Sequence, residues 1–415
     1  MTAIMKLFKI LSWVVVLLLL ACGAGFATMT PQWRALVISM PTNTDVLFWS
    51  QRQREVAFRM FDQMTFLIPV RQIEAGGLVS PLGEGKPLTL PIDTDAYMRA
   101  QNHAALIVLH KDDIRLEKYG LDFDRYGQWT NFSVAKSFTS TLVGAAIQDG
   151  YIESLNDRVT KYIPELVGSA YDDVSIEHLL TMTSGVAWNE DYEDPTSDVA
   201  LFKDHSPSEE ECQTVSYMKG LPRKHTPGTV WNYSTGETSL IGVLVSKATG
   251  KTLSQYLGEK VWQPMGAEAD ATWLLDKSMN EHSGCCLQAR TRDILRYGRF
   301  MLNAGQAGNE RVLPREWLVY ATRTQIASGD PNYGYGYQWW THDDGSFEAR
   351  GIFGQGIFID PTRELVVVVN SNWTTAEGHK DGEAERLRRF YRLVQSAVDE
   401  EADQEKGGFA TASSL

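Results

Sequence analysis

Ser133 and Lys136 form a Ser-x-x-Lys pattern, a pair that could carry out nucleophilic catalysis. Ser133 opens an apolar helix predicted over 133–148, where the first N–H groups are unpaired and the helix dipole favours negative charge. Lys136 lies on the same helix face, and burial would ease loss of its proton, so that it could accept the serine proton. The alternative to a catalytic role is that Ser133 is an ordinary helix N-cap. A second match, Ser216 with Lys219, lies in a polar stretch and is the alternative reactive pair.

Two later segments could complete such a site. Tyr233 is predicted at the tip of a polar loop, where a nearby lysine ammonium would stabilise its phenolate and let it shuttle a proton to a leaving group. A core tyrosine with a satisfied hydroxyl is the alternative. Three glycines within residues 350–361 allow close backbone approach to a ligand, and the Ile352 N–H could face an oxyanion opposite the Ser133 N–H. A glycine-rich hairpin without a ligand is the alternative there.

Aromatic and acidic residues near these motifs are candidates for the walls of a cleft. Residues 188–192, Trp-Asn-Glu-Asp-Tyr, follow a Ser-Gly turn, and Trp339 with Trp340 could form an apolar wall. Plain packing, or a solvated loop, is the alternative for each of them.

Taken together, the motifs resemble the serine β-lactamase and penicillin-binding-protein superfamily. Ser133-x-x-Lys136, then Tyr233-Ser234-Thr235, then the strand at 351–356 occur in the order typical of that superfamily. The resemblance spans roughly residues 95–375. It is nearest to the class C branch, and within that branch to the 6-aminohexanoate-dimer hydrolases and related esterases.

The resemblance implies a fold, a set of roles and no cofactor. The fold would be α/β (α+β), β-lactamase/transpeptidase-like, with an antiparallel sheet from both chain ends, flanking helices and an inserted, mainly helical region. Ser133 would be the acylated nucleophile, Lys136 its proton acceptor and Tyr233 the general acid/base. The N–H groups of Ser133 and Ile352 would form the oxyanion hole. No metal and no organic cofactor are expected.

Two departures from the pattern bear on the substrate. Thr235 stands where β-lactamases and transpeptidases usually carry Asn, and 349–351 reads Ala-Arg-Gly instead of Lys-Thr-Gly or His-x-Gly. We therefore expect hydrolysis of a small ester or a linear amide through an acyl-enzyme intermediate. The alternatives are a β-lactamase or D-alanyl-D-alanine carboxypeptidase-like activity, or a catalytically idle cell-wall-binding module. The expected substrate-binding residues are Thr235, Trp188, Tyr192, Arg350, Gly351 and Gln355.

Composition argues against several other functions. The 415 residues include 39 Lys and Arg against 52 Asp and Glu, a formal charge of −13, which disfavours nucleic-acid binding. A G-x-S-x-G elbow is absent, as are His-x-His and His-Glu-x-x-His pairs, which argues against an α/β-hydrolase and a metal hydrolase. We expect a small-molecule substrate and no nucleic-acid partner; the oligomeric state stays open.

Residues 1–28 have the features of an export signal or membrane anchor. Lys6 and Lys9 precede an apolar run, and small residues follow it. Cleavage near Ala27, lipidation at Cys22 and retention as a single span are all left open. Since the basic flank stays cytoplasmic, we expect the body to be periplasmic or otherwise extracytoplasmic.

Three cysteines lie outside this segment: Cys212, Cys285 and Cys286. One disulfide from Cys212 to either of the others is as plausible as free buried thiols. A bond between the adjacent Cys285 and Cys286 is disfavoured, because the short ring strains the geometry.

The chain is predicted to have four parts. The first is the signal or anchor at 1–28, the second an irregular lead-in at 29–90 with a short helix at 52–66. The third, 91–398, is the hydrolase domain, with a helical insertion at about 150–325 and a closing helix at 384–398. The fourth, 399–415, is predicted to be a disordered tail. Strands predicted at 104–109 and 114–119 and again at 335–340, 356–359 and 365–370 indicate one sheet built from both chain ends.

Overall fold

A nine-stranded sheet, built from both ends of the chain, organises the larger part of the molecule. The computed structural model describes residues 2–65, 68–208 and 211–412. Contacts divide the chain into two units, residues 1–58 and 59–415. The strands, in chain order, are β1 Val70–Ile73, β2 Gly83–Glu84, β3 His103–His110, β4 Asp113–Tyr119, β5 Trp129–Thr130, β6 Ala271–Leu274, β7 Leu287–Ala289, β8 Gln306–Ala307, β9 Glu310–Arg311, β10 Ile326–Ala327, β11 Gly334–Tyr335, β12 Trp340–Thr341, β13 Phe347–Gly351, β14 Gln355–Asp360 and β15 Leu365–Ser371.

The helices connect these strands and cover the sheet. The α-helices are α1 Thr2–Thr28, α2 Pro31–Ile38, α3 Gln51–Ala57, α4 Thr94–Ala100, α5 Val134–Gln148, α6 Ile176–Leu180, α7 Asp198–Phe202, α8 Gln213–Met218, α9 Thr235–Thr249, α10 Leu253–Leu257, α11 Thr291–Leu302, α12 Trp317–Ala321 and α13 Glu383–Ala412. Short 3₁₀ turns occur at Val46–Phe48, Val159–Lys161 and Pro164–Leu166, and a π-helical turn at Gly258–Trp262 continues α10.

The large sheet has the strand order β10-β11-β12-β13-β14-β15-β3-β4-β2 and is antiparallel except for the parallel pair of β2 and β4. Successive side chains of a strand point to opposite faces of the sheet, so the central strands of the large sheet contribute to two hydrophobic cores. On one face Ile107 and Val368, which are paired across β3 and β15, join the cluster that contains α5 and α11. On the other face the next pair, Val108 and Val367, joins the cluster that contains α13. The predicted sheet from both chain ends is confirmed.

One predicted strand is wrong in detail. Residues 335–340 form no continuous strand, because the chain folds back between β11 and β12 and Gln338 takes a left-handed φ of 63° there. The side chain of Gln338 is buried and donates to the backbone oxygens of Leu179 and Leu180, which holds this turn against α6.

Helix α5 confirms the predicted helix over 133–148 and runs through the interior. Its residues from Val134 to Ala146 are buried on every side, because α5 lies among α9, α10 and β13. Its buried hydroxyl groups, those of Ser137, Thr139, Ser140 and Thr141, each donate a hydrogen bond to a backbone oxygen, as burial of polar groups requires. The first turn of α5 is thereby fixed within the body, with Ser133 at its N-terminus.

The region 150–325 contains the predicted helices but is not purely helical. Helices predicted at 176–181, 239–248, 254–261 and 291–303 correspond to α6, α9, α10 with its π turn, and α11. Strands β6 and β7 lie between them and join β1 and β5 in a four-stranded sheet of order β1-β6-β7-β5. The lead-in therefore contributes a strand, β1, to this second sheet.

The predicted disordered tail is wrong for residues 399–412, because α13 continues to Ala412. Residues 413–415 lie outside the described part of the chain. Composition suggested disorder, but ion pairs fasten this stretch to the body: Asp399 pairs with Arg363 at 2.8 Å and Glu401 with Arg115 at 2.6 Å.

The unit of residues 1–58 contains three helices. Within α1, Ile4–Thr28 is long and apolar enough to cross a membrane, and its length and composition also suit a signal sequence. Helix α3, Gln51–Ala57, is shorter than the helix predicted at 52–66, whose last residue lies outside the described part of the chain. It begins with a reciprocal capping box between Ser50 and Gln53.

The cysteine prediction is wrong, since Cys285 bonds to its neighbour Cys286. Cys286 takes a left-handed φ of 68° in the connection between β6 and β7, and this turn brings the adjacent side chains together. Cys212 and Cys22 are free thiols.

Candidate active site

Ser133 occupies the N-cap position of α5, yet its hydroxyl makes no capping hydrogen bond. Instead Ser133 Oγ accepts a hydrogen bond from Lys136 Nζ at 3.0 Å. The residue before it, Phe132, has a left-handed φ of 42°, which turns the chain sharply into the helix. Helix capping therefore does not explain this serine, and the structure pairs it with the predicted lysine.

Lys136 is completely enclosed and makes three hydrogen bonds. Its ammonium nitrogen donates to Ser133 Oγ at 3.0 Å, to Thr235 Oγ1 at 2.9 Å and to the backbone oxygen of Gly284 at 2.7 Å. Burial lowers the pKa of Lys136 to about 8, and the charge of Glu190 opposes that shift. The predicted ease of deprotonation is confirmed in direction and in cause.

The alternative pair, Ser216 with Lys219, is not assembled. Both lie at α8, but Lys219 forms an ion pair with Glu211, and Ser216 Oγ is hydrogen-bonded to His205 Nε2 at 3.0 Å. Each side chain thus has another partner.

Tyr233 lies beside the serine–lysine pair, at the loop that leads into α9. Lys136 Nζ is 5.0 Å from the centre of the Tyr233 ring, and the ring stacks on Trp340 at 5.8 Å. Burial first, and the charge of Glu190 second, raise the pKa of Tyr233, against smaller opposing effects of Ser133 and Arg350. Burial thus outweighs the expected stabilisation of a phenolate, and the raised pKa of Tyr233 favours a neutral phenol that can donate a proton.

The glycine-rich hairpin brings strand β13 against the nucleophile. A Cβ at Gly351 would lie 2.7 Å from the Asn131 oxygen and 3.3 Å from the Ser133 nitrogen, so only glycine permits this approach. Ile352 follows at the tip of the hairpin and lines the same cavity as Ser133. Within the described residues, neither the Ser133 N–H nor the Ile352 N–H donates to a protein acceptor. Both are therefore available to an oxyanion.

Gln355 holds this hairpin from behind. Its amide nitrogen donates to the backbone oxygens of Phe353 at 3.2 Å and Ser371 at 2.8 Å, and its amide oxygen accepts from the Ser371 N–H at 3.1 Å. Gln355 borders the cavity, but its polar atoms are engaged within the protein. Its contacts fit a support for the oxyanion loop better than the predicted substrate contact.

Glu190 was predicted only as one of the residues 188–192 that could line the cleft; it does line the cavity, and it also collects hydrogen bonds that the sequence did not indicate. Its carboxylate accepts hydrogen bonds from the backbone N–H of Thr235 at 2.9 Å and from the Tyr192 hydroxyl at 2.9 Å, and also from Thr235 Oγ1 and Trp188 Nε1. Thr235 and Trp188 therefore lie behind the cavity wall, whereas Glu190 and Tyr192 line it. The pattern Trp-x-Glu-x-Tyr, with a donor two residues away on each side of a carboxylate, was the available signal.

The cavity in front of Ser133 has a volume of about 340 Å³. Arg350 lines it, with its guanidinium carbon 4.5 Å from the centre of the Tyr333 ring and 4.9 Å from that of Trp340. Trp340 is part of the wall, as predicted, but Trp339 lies in the core against Tyr297. The other lining residues include Trp231, Ser328, Asp330, Glu348, Trp373, Glu377, His379, Leu387, Arg388 and Tyr391.

A helix-borne Ser-x-x-Lys pair between a large antiparallel sheet and a second, smaller sheet with helices defines a serine hydrolase of amides and esters with a β-lactamase/transpeptidase-like fold. The Beta-lactamase family matches residues 94–390, and the chain belongs to that family.

Individual relatives agree with this assignment. The chain is 30% identical over 289 residues to a 6-aminohexanoate-dimer hydrolase of Paenarthrobacter ureafaciens, which covers 65% of this chain and 72% of the relative. Among solved structures, a candidate 6-aminohexanoate-dimer hydrolase from Bacillus anthracis superposes with a TM-score of 0.73 at 18% identity, covering 88% of this chain and 99% of that one. EstCE1, a hydrolase with promiscuous acyltransferase activity, has a TM-score of 0.57 at 15% identity and covers 73% and 96%. The two structural matches show the shared fold.

Proposed function

We propose that Ser133, Lys136 and Tyr233 carry out the hydrolysis through an acyl-enzyme intermediate. The observation that supports this most strongly is the buried Lys136 amine, whose pKa is lowered to about 8 and which is 3.0 Å from the Ser133 hydroxyl. A lysine in that state can act as a base near neutral pH, as the activation of a serine nucleophile requires.

Acylation begins when neutral Lys136 takes the proton of Ser133 Oγ, which then attacks the carbonyl carbon of the substrate. The negative charge that develops on the carbonyl oxygen is stabilised by the N–H groups of Ser133 and Ile352. Tyr233 gives its phenolic proton to the departing alcohol or amine, and the protonated Lys136 can resupply that proton. The acyl group remains as an ester on Ser133.

Deacylation repeats these steps with water as the nucleophile. Tyr233, as the phenolate or through Lys136, accepts a proton from the water as its oxygen attacks the ester carbon. The same oxyanion site stabilises the second tetrahedral intermediate. Collapse breaks the bond to Ser133 Oγ, which regains its proton, and releases the acid.

We propose a small ester or a linear amide as the substrate. Aromatic rings line the cavity, and Arg350 lies against Tyr333 and Trp340 with Glu348 3.9 Å from its guanidinium, so a carboxylate-bearing acyl group would share this cation with Glu348. The 30% identical relative is named a 6-aminohexanoate-dimer hydrolase, and since two amino acids are joined through an amide, that name supports an amide substrate. Tyr192 and Gly351 are proposed to contact the substrate, whereas Thr235 and Trp188 act from behind the wall.

We further propose that the body works outside the cytoplasm, in the periplasm or anchored to a membrane. The support is α1, in which the apolar run at 10–20 follows Lys6 and Lys9 and belongs to a segment long enough to cross a membrane. Its cleavage, its retention and lipidation at Cys22 all agree with this location.

Active-site labelling tests the proposed nucleophile. A fluorophosphonate should modify the parent protein, and peptide mapping should place the adduct on Ser133. Ser133→Ala should fold, resist the label and lose several orders of magnitude in turnover of a p-nitrophenyl ester. Ser216→Ala is the matched control and should keep both labelling and turnover. An adduct elsewhere, or a Ser133→Ala variant at the parent rate, would refute the assignment.

A substrate panel tests the proposed substrate class. Short p-nitrophenyl esters, linear amides with and without a terminal carboxylate, and a cephalosporin are compared by kcat/KM. We expect the esters and linear amides to be turned over and the cephalosporin to be poor. A preference for the cephalosporin would instead support the β-lactamase alternative.

A further inference from the structure

The Glu190 carboxylate is connected to the reactive pair through a single hydroxyl group. Thr235 Oγ1 donates its only proton to Glu190, which as a carboxylate can accept but not donate. The same Thr235 oxygen accepts from Lys136 Nζ at 2.9 Å. Glu190 thus makes Thr235 an obligate acceptor toward the lysine.

The direction of that hydrogen bond determines where the lysine lone pair points. A neutral amine has two N–H donors and one lone pair. Thr235 Oγ1 and the Gly284 backbone oxygen, at 2.9 and 2.7 Å, can take the two donors. The remaining direction of Lys136 Nζ leads to Ser133 Oγ at 3.0 Å, where the lone pair must be if the amine is to accept the serine proton.

We propose that Glu190 is a positioning residue: by holding the Thr235 hydroxyl proton, it directs the lone pair of neutral Lys136 to Ser133. This inference rests on the proposed function, in which Lys136 is the base. If Thr235 were free to turn its proton toward the amine, it would occupy the lone pair and compete with Ser133. Trp188 and Tyr192, which donate to the same carboxylate, fix Glu190 in this orientation.

The charge of Glu190 has a second consequence. It favours the ammonium form of Lys136 and so opposes the lowering of its pKa by burial. The other titratable groups around the two residues are Tyr233 on the loop before α9, Tyr192 beside Glu190, Tyr335 on β11, Arg350 on β13 and Glu377. Removal of the Glu190 charge should therefore ease the deprotonation of Lys136. At the same time, the lone pair of Lys136 should no longer be directed at Ser133.

The test is a double-mutant cycle between Glu190 and Thr235, read as kcat/KM on a p-nitrophenyl ester over a range of pH. Glu190→Gln keeps the shape of the side chain but can donate to Thr235 Oγ1, which frees the Thr235 proton. We expect a loss on the order of a hundredfold. In Glu190→Gln, the acidic limb of the kcat/KM profile, which Lys136 sets, should move to lower pH by about one unit. Thr235→Val should cause a comparable loss, whereas Thr235→Ser should stay close to the parent enzyme.

Strong coupling is the expected result: in the Thr235→Val background, Glu190→Gln should cost little more. Additive losses, or an acidic limb that stays in place, would overturn the proposal. If Glu190→Gln does not fold, a Thr235→Val variant that matches Thr235→Ser in rate would overturn it by itself. The control is Glu193→Gln, which replaces an exposed carboxylate on the same loop. It should change neither kcat/KM nor the position of the acidic limb. Fluorophosphonate labelling of Ser133 in each variant separates failure of this proposal from failure of the nucleophile assignment.

Discussion

Burial acts in opposite senses on two side chains that share one site. It lowers the pKa of Lys136 to about 8 and raises that of Tyr233, because a poorly solvated site disfavours the charged form of each. Both groups therefore tend toward neutrality, one as an amine that can accept a proton and the other as a phenol that can donate one. A single physical cause thus supplies a base and an acid 5.0 Å from each other, measured from the amine nitrogen to the ring centre.

The pH dependence of kcat/KM should report the Lys136 amine. Since only the neutral amine can accept the serine proton, kcat/KM should rise as pH increases through about 8, the pKa of Lys136, and level off above it. Lys136→Arg, which stays charged, should be nearly inactive across the same range. The control is Lys219→Arg at the unassembled second motif, with the parent profile expected. An acidic limb that persists in an active Lys136→Arg enzyme would contradict the assignment.

Removal of the Tyr233 hydroxyl should slow turnover less than removal of the nucleophile. We expect Tyr233→Phe to lose about a hundredfold in kcat, because a general acid contributes on that order. The loss should be largest for amides, whose leaving group needs the proton most, and smallest for p-nitrophenyl esters. Tyr335→Phe, which keeps the aromatic packing around Tyr233, should behave like the parent enzyme. Equal losses for both leaving groups would argue against proton donation by Tyr233.

At the scale of secondary structure, the site depends on two elements that meet at a close approach. Helix α5 presents Ser133, and the hairpin of β13 and β14 presents Ile352, with Gly351 at the contact. The buried Gln355 amide fixes the tip of the hairpin by its hydrogen bonds to Phe353 and Ser371. The proposed oxyanion site would therefore be formed before a substrate arrives, which is the condition for electrostatic stabilisation without reorganisation.

A side chain at Gly351 should separate these elements. The added Cβ of Gly351→Ala would meet the backbone oxygen of Asn131 at 2.7 Å, so the hairpin must move away from the Ser133 N–H. We expect kcat to fall on the order of a hundredfold, as for loss of one oxyanion donor, with a small change in KM. Gly77→Ala, where a Cβ meets only open space, is the matched control. A Gly351→Ala enzyme with parental kcat would show that the hairpin does not supply the second donor.

At the scale of the whole molecule, the active site is collected from distant parts of the chain. Ser133 comes from the start of α5, Thr235 from the middle of the sequence and Ile352 from the hairpin of β13 and β14. The antiparallel pairing of β15 with β3 joins the two ends of the chain and so brings these segments together. Loss of this pairing would separate the nucleophile from its oxyanion hairpin.

The N-terminal helix should determine where the enzyme resides without affecting its chemistry. We expect the full chain to fractionate with membranes when α1 is retained, and a variant lacking residues 2–28 to be recovered in the soluble fraction. Its kcat/KM should stay within about twofold of the parent, since the site residues all belong to the other unit. A full-length, uncleaved protein in the soluble fraction would contradict the anchoring role.

Much of the secondary structure could be predicted from the sequence, because it depends on hydrophobic patterns among neighbouring residues. Strands β3, β4, β14 and β15 are apolar runs or alternate with period two, and the second half of α5 is largely apolar, so neighbouring residues already indicate these elements. The family resemblance then implied the type of fold, whereas the strand order came only from the structure. The extent of α13 was missed because ion pairs to Arg115 and Arg363, both distant in sequence, fasten it to the body.

The sequence by itself determined which residues could react, since the identity and spacing of Ser133, Lys136 and Tyr233 are local facts. Only the tertiary structure decided how they react. It gave both Ser216 and Lys219 other partners, joined Glu190 to Thr235 by a hydrogen bond, and raised, rather than lowered, the pKa of Tyr233. The physical reason is that solvation and hydrogen-bond direction depend on which side chains surround a group in space, and those neighbours come from parts of the chain that no local pattern connects.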